Sequence, residues 1–370
     1  MTRRRSEPRS AARAAAMVLA ISTPLLLGLP LLGTFLAGEP LAAYLEFPPL
    51  TRYVEHAGFS LLLFSLMAAF VVASVLPFVV AVFRAPLRHP APQGATFPAW
   101  GIAGIAVTLA AWVLAWTRLP WMAPLQTHTF LPLWSGYIVT VNACVHWRSG
   151  ASPLTHETRY YLALFPMSAV FWWFFEYLNR FVQNWYYVGI EEFAPFEYVL
   201  WSSLAFSTVL PAVYATRALL ATYPRLHAGL DRGWRLRLPK RAAPWALLSA
   251  AAGLISIGIW PNYTYPMLWL APLAIITVLQ LLLGQSTKLA RIKDGDWREI
   301  WLWTLAALVC GVFWETWNYL SAAKWIYSVP YVHRFEIFEM PILGYAGYLP
   351  FGLECAVAAG LAAQLCGIQR

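Results

Sequence analysis

Long runs of apolar residues, separated by short polar stretches, dominate the pattern of this chain. A membrane-spanning helix needs about 20 apolar residues, with about 17 as its lower limit. Ten stretches approach or exceed that length: 14–35, 58–83, 99–116, 130–146, 160–178, 198–216, 245–260, 267–283, 300–320 and 341–365. The runs are continuous rather than alternating, as in helical and not barrel membrane proteins. The pattern predicts an all-α polytopic integral membrane protein with about ten transmembrane helices.

The composition agrees with this class. Of the 370 residues, 60% are hydrophobic and only 12% are charged, whereas soluble domains carry about 25% charged residues. This excludes a soluble enzyme. The net charge of +9 is not gathered on a polar domain with interleaved aromatic residues, so we expect membrane lipids and no nucleic acid as partners.

Lysine and arginine predict the orientation of the helices. With the N-terminus inside, five of the 26 basic residues fall in outer segments: Arg52, Arg118, Arg180, Lys324 and Arg334. The others, Arg88 and Arg370 among them, fall in inner segments. Because basic residues concentrate in cytoplasmic loops, we expect a multi-pass protein of the cytoplasmic (inner) membrane with both termini cytoplasmic.

One pattern occurs twice along the chain. FFEYLNRFVQNWYYVGIEEFAPFE begins at Phe174, and FWETWNYLSAAKWIYSVPYVHRFEIFE begins at Phe313. Both contain E-x-x-N, then W-x-Y, then F-x-x-F-E. The aligned pairs that carry the later argument are Glu176 with Glu315, Asn179 with Asn318, Trp185 with Trp325, Tyr187 with Tyr327, and Glu197 with Glu339.

The repeat predicts the organisation of the chain. Residues 1–98 form an N-terminal two-helix segment, 99–230 a first four-helix repeat, 231–243 a basic cytoplasmic linker, and 244–370 a second four-helix repeat. Each copy begins and ends inside, so the copies have the same orientation. We expect an axis along the membrane normal to relate them, as in transporters with parallel repeats.

The repeated acids are the candidate site. Glu and Asn three residues apart share one face of a helix, near the outer end of their spans, and ionisable groups in membrane helices are functional by default. Tryptophan and phenylalanine rings around such a carboxyl group disfavour its ionised form, which suits a proton donor. The predicted catalytic residues are Glu176, Glu315, Glu339 and Glu354. The predicted substrate-binding residues are Asn179, Asn318, Glu197, Trp185, Tyr187, Trp314, Trp325 and Tyr327.

These residues also have structural interpretations. Glu–Asn pairs can join neighbouring helices by hydrogen bonds, and Trp and Tyr near the surface are typical of an aromatic belt. Glu354 has no counterpart in the first copy; it either marks the working half of the site or forms a salt bridge. His333 with Glu336 and Glu339 would suit a metal only loosely. The sequence contains no metal-binding signature and identifies no cofactor.

Three functions remain open from the sequence. The first is a membrane enzyme that acts on a lipid or isoprenoid through acids near the outer leaflet. The second is a secondary transporter or lipid-handling protein with a carboxylate site at the repeat interface, and the third is a structural subunit without catalysis. The Glu–Asn step among membrane aromatics is similar to the integral-membrane cyclases of carotenoid and meroterpenoid synthesis, which protonate isoprenoids with buried acids. The similarity covers a short part of the chain, and the proline–acidic-pair signature of those cyclases is absent.

Overall fold

A computed structural model of the chain describes residues 3–49, 51–85, 94–285 and 287–368. Arg88 and Arg370, counted above among the inner basic residues, lie outside this description. Within it the chain is mostly helical. The helices are α1 (Arg3–Leu36), α2 (Ala42–Leu45), α3 (Leu61–Arg84), α4 (Ala99–Trp116), α5 (Ala123–Gln126), α6 (Phe130–Ser149), α7 (Pro153–His156), α8 (Thr158–Val182), α9 (Pro195–Phe206), α10 (Val209–Ala221), α11 (Ala243–Ile259), α12 (Pro261–Thr264), α13 (Met267–Leu282), α14 (Arg298–Tyr319) and α15 (Tyr348–Leu365).

Short strands and 3₁₀ turns join these helices. The strands are β1 (Trp185–Val188), β2 (Lys324–Tyr327), β3 (Glu336–Ile337) and β4 (Met340–Pro341). β1 pairs antiparallel with β2, and β3 pairs antiparallel with β4. The 3₁₀ turns are Pro120–Met122, Pro224–His227, Lys288–Asp294 and Ile342–Gly347.

In the described ranges, seven helical segments are long and apolar enough to cross a membrane: Ser10–Leu36, Leu61–Arg84, Ala99–Trp116, Thr158–Val182, Pro195–Ala221, Arg298–Tyr319 and Ile342–Leu365. The other three predicted runs are also helical, as α6, α11 and α13, but α6 is more polar and α11 and α13 are shorter. The protein is therefore a helical, multi-pass membrane protein.

One predicted helix is interrupted. The run 198–216 forms two helices, α9 and α10, that meet at Ser207 and Thr208. Both hydroxyls donate to nearby backbone carbonyls, Ser207 to Leu204 at 2.6 Å and Thr208 to Ala205 at 2.7 Å. The Ser168 hydroxyl of α8 also donates to Phe206 O at 2.6 Å and accepts from Leu210 N at 2.9 Å. It thus takes the place of the helical bond between residues 206 and 210, which accounts for the break.

The connections between the long helices form two groups, one at each end of the bundle. At one end, which we call the strand face, lie the connections 37–49, 51–60, 117–129, 183–194, 260–266 and 320–347. Ser60 N donates to Tyr331 O at 2.9 Å, and Ser328 N donates to Asn184 O at 2.9 Å. At the opposite end, Gly233 N donates to Gly295 O at 2.8 Å, and Arg217 forms an ion pair with Glu299.

Two glycines bring α1 and α11 into close contact. A Cβ atom built on Gly33 would lie 2.0 Å from the carbonyl oxygen of Ile255, and one on Gly258 would lie 2.5 Å from that of Pro30. Glycine at such crossings lets two membrane helices approach closely enough for their backbones to pack. This contact fixes the N-terminal helix against the second half of the chain.

Candidate functional site

The two copies of W-x-Y meet in one small sheet. Trp185 pairs with Tyr327, Tyr186 with Ile326, and Tyr187 with Trp325. β1 follows α8 and β2 follows α14, so the C-terminal ends of these two helices lie together at the strand face. Glu176 and Glu315, in the last turns of α8 and α14, are thereby held beneath the sheet.

Glu176 is completely buried, and its Oε1 atom accepts three hydrogen bonds. The donors are the indole nitrogens of Trp172 at 2.9 Å and Trp185 at 3.1 Å, and the hydroxyl of Tyr187 at 2.6 Å. The Oε2 atom has no partner among the residues that the structure describes. The carboxyl group is thus surrounded by aromatic donors.

Glu315 is equally buried but has different donors. Its Oε1 atom accepts hydrogen bonds from the hydroxyls of Tyr327 at 2.8 Å and Tyr348 at 2.7 Å. The indole nitrogen of Trp325 donates to the Tyr327 hydroxyl at 2.9 Å. Oε2 again has no partner within the described ranges.

The asparagines of E-x-x-N hold the strands in place. Asn318 accepts from the backbone N–H of Trp325 at 2.9 Å and donates to its carbonyl at 2.7 Å. Asn179 donates to the carbonyl of Trp185 at 2.7 Å and accepts from Asn184 N at 2.8 Å. Both amides are therefore engaged by the backbone, where they position W-x-Y next to the acid three residues earlier.

The strand tyrosines remain neutral hydroxyl groups. Burial, and then the neighbouring carboxyl group, raises the pKa of Tyr187 and of Tyr327 well above the usual value of 10.0. Each therefore keeps its proton at physiological pH, and its oxygen can both donate and accept.

An aromatic cavity of about 180 Å³ lies against these tyrosines. It is bounded by α6, α8, α9, α14, α15 and the strands. The predicted binding residues Trp185, Tyr187, Trp314, Trp325 and Tyr327 all line it, and so do Trp172, Trp201, Phe206, Trp269, Tyr348 and Phe351. The two carboxyl groups lie behind this wall, so Tyr187, Tyr327 and Tyr348 connect them to the cavity.

The second acids of the repeat do not contact the buried carboxyl groups. Glu197 is exposed and accepts from Ala194 N at 3.1 Å, which caps the start of α9. Glu339 forms an ion pair with Lys324, which lies at the cavity edge. In the structure these two side chains stabilise local elements around the site.

Glu354 and His333 also lie apart from the two buried acids. Glu354 lines a separate cavity between α1, α8, α13 and α15. His333 Nε2 lies 3.2 Å from Glu336 Oε1. No group of three or more His, Cys, Asp or Glu side chains in the described part of the chain could hold a metal ion.

Two contributors were not identified from the sequence. Tyr348 is one of two hydroxyl partners of Glu315, and His128 stacks on Trp201 at a centroid distance of 4.2 Å in the cavity wall. Burial lowers the pKa of His128, which favours a neutral ring. When the two F-x-x-F-E segments are aligned, Tyr348 lies nine residues after the final Glu, at the position where the first copy has Phe206. This difference between the copies would have drawn attention to Tyr348.

No protein-family model, curated protein or solved structure matches this chain. Its function is therefore argued from the geometry of the site.

Proposed function

We propose that the protein is a membrane-embedded enzyme that protonates a carbon–carbon double bond of an isoprenoid or other unsaturated lipid. One observation carries this proposal. Two fully buried carboxyl groups are hydrogen-bonded to tyrosine hydroxyls, and those tyrosines line an aromatic cavity. A proton can pass through such a hydroxyl, and aromatic faces stabilise the positive charge that follows.

The donors to the two acids assign different roles to them. An indole N–H can only donate, whereas a hydroxyl can donate or accept. Oε1 of Glu176 receives two indole donors, so it must remain an acceptor, and a proton on this carboxyl group would lie on Oε2, which contacts no hydroxyl among the described residues. Both hydrogen-bond partners of Glu315 are hydroxyls, so one or the other of these bonds can reverse when Oε1 carries the proton. Glu315 is therefore the proton donor, and Glu176 supports positive charge in the cavity.

The proposed repeat explains this asymmetry. Aligning Glu176 with Glu315 also aligns Trp172 with Gly311, and aligning Glu197 with Glu339 aligns Phe206 with Tyr348. A Cβ atom on Gly311 would lie 2.4 Å from the Tyr348 ring. The missing side chain at Gly311 thus leaves room for Tyr348 in the second copy, where the first copy has an indole.

The reaction balances without a further reactant. The proton of Glu315 passes through the hydroxyl of Tyr327 or Tyr348 and forms a C–H bond with the π electrons of the substrate. The adjacent carbon becomes a cation that faces the aromatic wall, behind which the Glu176 carboxylate stabilises positive charge. A proton then leaves a neighbouring carbon and returns through the same tyrosine hydroxyl to the Glu315 carboxylate, which restores a double bond. The product is an isomer of the substrate, and it is cyclic if a second double bond attacks the cation first.

A second cavity supports a lipid substrate. It has a volume of about 560 Å³, lies between α3 and the bundle, and shares Trp185, Trp269 and Tyr327 with the aromatic cavity. No described residue of α3 is buried. A substrate arriving from the bilayer would therefore reach the tyrosines past a loosely packed helix.

We also propose ten crossings, two parallel repeats bounded as in the sequence analysis, and the strand face outside. Two features support the parallel repeats. α8 and α14 end at the same face. β1 and β2 also pair symmetrically about Tyr186 and Ile326, so that the Trp of each copy lies opposite the Tyr of the other. The charge distribution supports the orientation. Reporters fused after Arg241 and after Tyr327 should report opposite sides of the membrane, and the same side for both would contradict this scheme.

The experiment that tests the function compares neutral lipid extracts from cells that express the wild type or the Glu176→Gln/Glu315→Gln variant. We expect a pair of isomeric lipids whose ratio differs between the two extracts. Glu192, which is exposed in the connection after β1, provides the control as Glu192→Gln, and this variant should match the wild type. Identical extracts from the wild type and the double variant, at equal protein levels, would refute the enzyme.

A further inference from the structure

Glu354 is a buried acid outside the proposed active site. It lies in α15, about 9 Å along the helix axis from Tyr348, and is 5% exposed. Neither of its carboxyl oxygens has a hydrogen-bond partner among the residues that the structure describes. Glu176 and Glu315, in contrast, each have one fully engaged oxygen. A buried polar group without a partner is costly, so a ligand that offered a hydrogen bond to Glu354 would stabilise it.

The carboxyl group lines a cavity of about 720 Å³. The other walls are mainly apolar and include Leu26, Leu31, Phe171, Phe175, Leu273 and Ile276. Arg180 and the segment 44–47 lie at its strand-face end, where the guanidinium group donates to Glu46 O. The Nε atom of Arg180 also has no partner within the described ranges. The cavity thus extends from the strand face to a carboxyl group inside the membrane.

We infer that this cavity binds a lipid alcohol, with the hydroxyl at Glu354 and the apolar chain along α1, α8 and α13. A carboxyl group with no cation beside it is least costly in apolar surroundings when neutral. The neutral group offers one O–H donor and a carbonyl acceptor side by side, and a hydroxyl matches both. The apolar walls then provide the contacts for the chain. This site does not depend on the proposed reaction.

The test uses the full chain in phosphatidylcholine nanodiscs and three photoreactive diazirine probes: a hexadecanol analogue, its methyl ether and a hexadecylamine analogue. The ether cannot donate a hydrogen bond. We expect the alcohol to label peptides of α1, α8, α13 and α15 about tenfold more than the ether, as one hydrogen bond would produce. The Glu354→Gln variant, whose amide also donates and accepts, should keep this preference, and Glu354→Leu should lose it.

A second variant distinguishes the contribution of the cavity to binding from that of the carboxyl group. Leu27 lines the cavity but is 40% exposed, so Leu27→Trp should block the cavity without disturbing buried packing. We expect it to lose the labelling while Glu354 is unchanged. Equal labelling by alcohol and ether, stronger labelling by the amine, an unchanged preference in Glu354→Leu, or labelled peptides outside the cavity would each overturn the proposal.

Discussion

Replacing Glu315 by glutamine is expected to lower product formation by about 10²–10⁴-fold, the usual contribution of a general acid. Glutamine keeps an oxygen that can accept from Tyr327 and Tyr348, whose hydroxyls lie at 2.8 Å and 2.7 Å. It removes only the titratable proton. The thermal unfolding temperature of the purified variant should therefore stay close to that of the wild type while the isomer ratio falls to background.

Glu176→Gln is the matched comparison, because this acid has the same burial and the same place in the other copy. In the proposed reaction it supports charge rather than donating a proton, so its loss should lower product formation less than the loss of Glu315 does. Equal activity of Glu315→Gln and the wild type would contradict the proposed acid. A larger loss for Glu176→Gln would reverse the assignment of the two copies.

Replacing Gly33 by leucine is expected to have the largest effect on folding. Even a Cβ atom at this position would lie 2.0 Å from the backbone oxygen of Ile255, and backbone cannot move aside as a flexible side chain can. We expect α1 to separate from α11, with a loss of about 3 kcal/mol in the free energy of unfolding. Thermal unfolding of the purified protein in detergent measures this loss.

Gly28 provides a control on the same helix. A Cβ atom there meets no atom within 4 Å, so Gly28→Leu adds the same side chain to α1 without a clash. Its unfolding temperature should remain near that of the wild type. If Gly33→Leu is as stable as Gly28→Leu, then α1 and α11 do not pack through this glycine.

The helical membrane class could be predicted from the sequence because lipid imposes it through length and apolar character alone. The interruption at Ser207 and Thr208 could not, since the run 198–216 is apolar enough for one helix. The Ser168 hydroxyl, which comes from α8 and bonds both Phe206 O and Leu210 N, decides that detail, and a hydropathy pattern does not contain such a contact. The positions of the cavities also depend on contacts between helices that are distant in the sequence.

The buried acids were identifiable because the repeat placed Glu176 and Glu315 next to W-x-Y. The contacts of the neighbouring polar residues could not be predicted from the sequence. Asn179 and Asn318 share a helical face with their acids, but their amides bind the backbone of the following strand. Tyr348 reaches Glu315 from the next helix, through space that Gly311 leaves open. Such complementarity is determined by the packed structure.

Deuterium incorporation tests the proposed proton transfer most directly. When the protein is equilibrated in heavy water before substrate is added, the carboxyl group of Glu315 exchanges its proton for deuterium, so under single-turnover conditions each product molecule should carry one deuterium on a carbon. Mass spectrometry of the product lipid should show this carbon-bound deuterium with the wild type and with Glu192→Gln, but not with Glu315→Gln. Product that forms in heavy water without carbon-bound deuterium would contradict the proposed protonation of a double bond.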